Sequence, residues 1–113
     1  MLSCLVVDHD RIAQKVLAAK LVKLGHLVNR VGSTGEALEM LRTQPAEVVF
    51  LAVANGLEGA LQIRDCLGPT DWIVGVTLDE PALVSPMNEW LAKPTALLDL
   101  CLVLDKHRDS RAA

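Results

Sequence analysis

Short apolar runs alternate with segments of helical periodicity along this chain, and that alternation leaves few folds open. Leu2-Ser3-Cys4-Leu5-Val6-Val7 is a near-continuous apolar run that stops at Asp8-His9-Asp10. Ala13, Val16, Leu17, Leu21 and Leu24 then recur at intervals of three and four, with Asp10 as the cap and Gly25 as the stop. Leu27 to Val31 is a second strand, mixed enough in polarity to lie near an edge. Ser33-Thr34-Gly35-Glu36 has capping-box spacing and opens a helix with Ala37, Leu38 and Leu41 on one face, closed by Pro45. Val48 to Val53 is apolar throughout, as a central strand buried on both faces requires. After an Asn55-Gly56 turn, Glu58 to Leu67 reads as a helix stopped by Gly68-Pro69. Trp72 to Thr77 is a fourth strand and Trp90-Leu91-Ala92 a short fifth. Thr95 caps a last helix from Ala96 to about Lys106, and His107 to Ala113 is expected as a polar, frayed tail.

This order implies a doubly wound five-stranded parallel sheet in a three-layer sandwich: one domain over residues 1–106, then the tail 107–113. Such sheets put their working residues at the carboxyl ends of the strands. The positions to interrogate are therefore Asp8, His9, Asp10, Ala52 to Asn55, Thr77, Leu78 and Lys93.

Composition removes several function classes. Eleven Lys and Arg against fourteen Asp and Glu give a net charge of −3, the wrong sign for a nucleic-acid footprint. Phe50, Trp72 and Trp90 are the only aromatic residues, too few for base-stacking platforms. At 51% hydrophobic residues the chain can build a core, but no apolar run is long enough to cross a bilayer. No basic segment precedes an apolar one at the start, so a cytoplasmic location and no membrane contact are expected. Cys4, Cys66 and Cys101 are odd in number, widely spaced and set in apolar segments, which reads as buried, reduced thiols. A zinc site from Cys4, Cys66 and one of His9, His26 or His107 has little support in that spacing.

Leu5-Val6-Val7-Asp8, Arg11-Ile12-Ala13-Gln14-Lys15-Val16-Leu17, Leu24-Gly25-His26 and Met87-Asn88-Glu89-Trp90-Leu91-Ala92-Lys93-Pro94 occur in that order. On these segments the chain resembles the receiver domain of response regulators, the CheY-like family, over essentially its whole length. The second and last segments look most like receivers attached to hybrid sensor histidine kinases. The resemblance implies a flavodoxin/CheY-like fold. It also implies an aspartate ending the third strand that takes a phosphoryl group, and a magnesium ion held by carboxylates. A lysine and a hydroxyl meet the phosphoryl group, and an aromatic residue on the fifth strand moves in response.

This chain carries only part of that set. Asp8 matches the first acid, but His9 stands at the second acid, and an imidazole is a poor magnesium ligand. Ala52 falls at the phosphoacceptor position, and shifting the register does not help because Phe50 to Asn55 contains no aspartate. Thr77 matches the switch hydroxyl, Leu78 replaces a small residue, and Lys93-Pro94 matches the lysine and its proline, where the family commonly has a cis bond. Trp90 matches the switch aromatic, although core packing explains it more simply. Asp8 is read as the partner of Lys93 rather than a metal ligand, and Thr77 as either a switch or a polar strand end. Asp10 is read as a helix cap, and His26 and His107 as surface histidines. No catalytic residue and no cofactor are expected.

Two surface features remain. Leu78 to Glu89, with Pro81 and Pro86, is too short for the family's fourth helix, so that helix is expected to be shortened or absent. The last helix is apolar nearly all round. If Leu97, Cys101 and Leu104 (or a close rotation of that stripe) pack on the sheet, several of Leu98, Leu100, Leu102 and Val103 form an interaction face. The expected function is a pseudo-receiver of two-component signalling that regulates a histidine kinase or output domain, in the same polypeptide or as a separate partner, with a possible homodimer through the last helix. Phosphorylation at a non-standard residue such as Asp8 or His9 is a second reading. A flavodoxin-like cofactor-binding module is a third, against which stand the carboxylates of Asp8 and Asp10 where a phosphate would want amides.

Overall fold

A computed structural model describes residues 1–52, 58–78 and 87–112. The elements are β1 (Ser3–Val7), α1 (Arg11–Lys23), β2 (Leu27–Val31), α2 (Thr34–Leu41), β3 (Val48–Ala52), α3 (Glu58–Cys66), β4 (Trp72–Thr77), β5 (Glu89–Ala92) and α4 (Leu97–Ala112). All four strand pairings are parallel, in the order β2-β1-β3-β4-β5, so β3 is central and β2 is an edge. The Asn55-Gly56 turn, and the shortened helix expected across Pro81 and Pro86, fall outside the described residues.

Alternation along the strands feeds two cores. Cys4, Val6, Val48, Phe50, Val74, Val76 and Leu91 meet α1 and α4 on one face. Leu5, Val7, Val49, Leu51 and Ile73 meet α2 and α3 on the other. A strand with both sets buried reads as a continuous apolar run, which is why β3 was so visible in the sequence. Burial pushes the Cys4 thiol up to about 12, with the Glu47 charge adding to the effect, so it behaves as a small apolar core residue.

Local signals held where the chemistry is local. Asp10 caps α1, its carboxylate accepting from the amides of Ile12 and Ala13 at 3.0 and 3.2 Å. Gly25 follows that helix at φ 92°, a conformation that only glycine adopts without strain. Ser33 caps α2 by accepting from the Glu36 amide at 3.2 Å.

Several expectations change. Helix α4 does not stop near Lys106 but runs to Ala112, and His107 is fully buried rather than a surface residue. Its Nε2 lies 3.1 Å from the Thr70 carbonyl, so that nitrogen carries the proton, and its ring stands edge-on to Trp72. The Arg111 guanidinium donates to Glu47 and ties the last turn of the helix to the base of β3. The buried stripe of α4 is Leu100, Val103, Leu104 and His107, an i, i+3, i+4, i+7 set rotated from the expected one. Leu100 and Val103 therefore belong to the core, while Leu98 and Leu102 remain exposed. Cys66 is exposed and Cys101 half-buried, so only Cys4 fits the buried-thiol reading. His26 is half-buried, its Nδ1 accepting from the Leu2 amide at 3.1 Å. Burial, helped by the N-terminal amine, holds it below its ordinary value. Among the described residues, no helix is long and apolar enough to cross a membrane, and no group of three or more His, Cys, Asp or Glu side chains is placed to hold a metal.

Burial works against the charge on Glu47, but the Ser3 amide and the Arg111 guanidinium more than offset it and hold the carboxyl below its ordinary 4.5. A carboxylate lowered in the folded state stabilises fully above its unfolded value and loses that contribution as pH falls through the lower folded one. Glu47→Gln is expected to cost about 1 kcal/mol near neutrality, and the gap to the parent should close as the solution is acidified. Thermal melts of both proteins across the acid range check the direction.

Candidate functional site

The carboxyl ends of β1, β3, β4 and β5 meet at one end of the sheet, and the residues singled out there come together. Asp8 follows β1 and is only 6% exposed. Its Oδ2 lies 2.7 Å from Lys93 Nζ, and its Oδ1 accepts from the Asp10 amide at 2.9 Å. The main chain of Asp8 is fixed as well. Its amide donates to the Val31 carbonyl at 3.1 Å, and its carbonyl accepts from Gln14 Nε2 at 3.0 Å. The Asp8–Lys93 pairing expected from the sequence is therefore present, and both carboxylate oxygens are engaged. Lys93 stands directly after β5, where its amide donates to the Thr77 carbonyl at 2.8 Å, and the Lys93–Pro94 bond is cis.

Ala52 ends β3 opposite Val76 of β4 and offers only a methyl group. The cleft beside it is about 40 Å³, bounded by Asp8, His9, Ser33, Ala52 and Gly59 among others. His9 points its ring outward, with 61% of its side chain exposed and Nδ1 3.9 Å from Asp8 Oδ1. Thr77 is half-buried at the end of β4, in register with Ala92, whereas Leu78 is 82% exposed. Beyond Lys93 a larger pocket of about 340 Å³ runs between α1 and Pro94, lined by Ile12, Val16 and Leu78.

The Trp90 ring packs closely on Gly75, its register partner on β4. A Cβ on Gly75 would fall 2.4 Å from the Trp90 ring, so the position accepts only glycine while the indole stays there. The ring packs against the core on the α2/α3 side. Its Nε1 has no hydrogen-bond partner among the described residues.

A hard divalent cation such as magnesium wants about six oxygen donors in near-octahedral geometry. Here the donor set does not fit. Asp8 is committed to an ammonium and an amide, Ala52 has no donor, and Asp10 spends its carboxylate on the cap. The sequence reading missed Gln14. This residue is 8% exposed, and its amide joins the ends of β1 and β2 through the Asp8 and Val31 carbonyls. A signal for it exists, because Gln14, Leu17, Ala18 and Leu21 share one helix face. Val16, placed on that face from the sequence, is instead 47% exposed.

With this geometry in place, the comparisons identify the architecture. No protein-family model matches the sequence, and none of the curated proteins matches it. Among solved structures, a two-component response regulator from Clostridium difficile superposes with a TM-score of 0.87 at 20% identity, covering 100% of both chains. The N-terminal domain of a response regulator/sensory box/GGDEF protein from Carboxydothermus hydrogenoformans gives 0.84 at 20% identity, with 97% of each chain covered. The receiver domain of a sensor histidine kinase from Pseudomonas aeruginosa, described with magnesium coordinated in its active-site cleft, gives 0.80 at 24% identity. It covers 93% of this chain and 95% of that one. The chain has the CheY-like receiver fold.

The ion pair gives a direct prediction. Lys93→Met strands a buried carboxylate and is expected to cost about 3 kcal/mol, as losing one partner of a buried pair does. Adding Asp8→Asn should recover a large part of that loss, since the uncompensated charge is gone. Chemical denaturation of the parent, both single variants and the double variant reads the coupling.

Proposed function

We propose that this chain is a receiver-type module of two-component signalling that does not accept phosphate, is not an enzyme, and acts by protein contact on a sensor histidine kinase or an output domain. The observation that carries this reading is the Asp8–Lys93 pair beside Ala52. A phosphoaccepting receiver needs a carboxylate at the end of the central strand to attack and a lysine to meet the incoming phosphoryl group. Here the ammonium already has a buried counter-charge 2.7 Å away, and a methyl group occupies the strand end. A methyl group has no lone pair with which to attack phosphorus. Loss of the acceptor and of a magnesium-binding donor set points the same way, because each is useless without the other.

What remains for signalling is surface. Leu98 and Leu102 stand 70% and 52% exposed on α4, and contiguous exposed apolar side chains on a helix favour a protein partner. The partner is read as a kinase or output segment, in the same polypeptide or separate, and a second copy of the chain is the alternative occupant.

The decisive experiment is intact mass measurement after incubation with magnesium and acetyl phosphate. No added phosphoryl mass is expected. A stable acyl-phosphate adduct would overturn the reading and transfer the role to Asp8 or another carboxylate, and an acid-labile adduct on His9 would do the same.

A further inference from the structure

A second polar pocket, separate from the Asp8–Lys93 pair, opens between α1 and the edge strand β2. It encloses about 350 Å³ and is lined by His9, Arg11, Gln14, Lys15, Arg30 and Glu36. Its charge is unbalanced. Arg11 and Lys15 stand one turn apart on α1, where like charges repel, and Arg30 faces them from β2. Among the described residues, none of these three cations forms an ion pair. Elsewhere Arg42, Lys93, Lys106, Arg108 and Arg111 form ion pairs, and Lys20 and Arg64 donate to carbonyl or amide oxygens. The single carboxylate of the pocket, Glu36, accepts a hydrogen bond from the Ser33 hydroxyl at 3.3 Å.

The pocket is also built rather than incidental. Gln14 is buried, and its Nε2 donates to the carbonyls of Asp8 and Val31 at 3.0 and 2.8 Å, which fixes the amide plane. The Oε1 left over accepts from an Arg30 terminal nitrogen at 3.4 Å. A buried side chain thus steers a guanidinium along the rim, reducing the entropy that an exposed arginine loses on binding an anion. Planar guanidinium groups match phosphate oxygens two at a time, and an ammonium adds a compact charge.

We propose that this pocket binds a small phosphorylated ligand carrying two or more negative charges, a phosphomonoester or a diphosphate. Three unpaired cations against one carboxylate leave a local surplus that such a group would neutralise. The volume lies near the lower end of small-molecule sites, suited to one compact polar head group. Its concavity favours such a ligand over the flat acidic surface of a protein. The proposal is independent of the docking reading, since none of the three cations belongs to the Asp8–Lys93 pair or the α4 face.

The test titrates the intact chain with inorganic pyrophosphate at low ionic strength, following heat and backbone amide shifts. Saturable one-to-one binding is expected, with shifts confined to Arg11 through Lys15 and Arg30 through Gly32, weakening as salt is added. Arg30→Gln combined with Lys15→Gln, both at exposed positions, should weaken binding about tenfold or more through lost charge-assisted hydrogen bonds. Lys23→Gln, on the same helix but outside the pocket, should leave affinity within about twofold. Equal weakening by Lys23→Gln, shifts spread over all basic residues, or failure to saturate would overturn the proposal. So would binding of a poly-glutamate peptide at these residues without binding of pyrophosphate.

Discussion

The buried carboxylate of Asp8 is the constraint to which the rest of this site answers. It sits at the end of β1 with almost no access to water, and an unpaired charge there would cost several kcal/mol. The Lys93 ammonium satisfies it from the far side of β3 and β4, because the strand order puts β5 at the opposite edge from β2. The pair therefore bridges the open ends of two intervening strands. A small residue at the end of β3 suits that arrangement, since an acidic side chain at Ala52 would add a second negative charge beside Asp8 and compete for the one ammonium. The pairing gives Lys93 and Asp8 a structural role that needs no phosphoryl group. The half-buried ammonium of Lys93 is what lets the Asp8 carboxylate be buried.

The sheet imposes the remaining order. A parallel sheet covered on both faces leaves polar groups mainly at strand ends, so Asp8, His9 and Lys93 lie just beyond their strands, while Arg30 stands on the exposed edge strand β2. Close approach replaces side-chain variety elsewhere. The indole of Trp90 lies on Gly75, and the α4 stripe fits His107 against Trp72 with one imidazole nitrogen bonded to the Thr70 carbonyl. Continuation of α4 through Arg111 gives the helix an anchor to Glu47 that a helix stopping near Lys106 would lack.

Legibility from sequence followed the range of the interaction. Strands with both faces buried announce themselves as apolar runs, and caps depend on residues two or three apart, so β3, Asp10, Ser33 and Gly25 were all readable. The Asp8–Lys93 pair was readable for another reason: the strand-end rule brings two distant charges of opposite sign to one place. Helix phase was harder. When a segment is apolar nearly all round, as the first half of α4 is, periodicity cannot say which side meets the sheet, and Leu100 and Val103 were placed on the wrong one. The polar look of residues 107–112 concealed a helix because its stabilising contacts, Thr70 and Glu47, lie far away in sequence. Gln14 was missed because an amide in a core stripe looks like a break in the pattern until its carbonyl partners are known.

Charge shows the same difference between a total and a place. A net charge of −3 is the wrong sign for binding a long polyanion, which depends on many cations spread along a track. That sum says nothing about where unpaired charge collects. Among the described residues, Asp10 serves as a cap, Asp8 pairs with Lys93, Glu47 and Asp105 pair with cations of α4, and Arg11, Lys15 and Arg30 make no ion pair on one rim. Histidine at position 9 matters here for what it is not, because a carboxylate there would stand beside Arg11 at the edge of that pocket and supply the missing counter-charge.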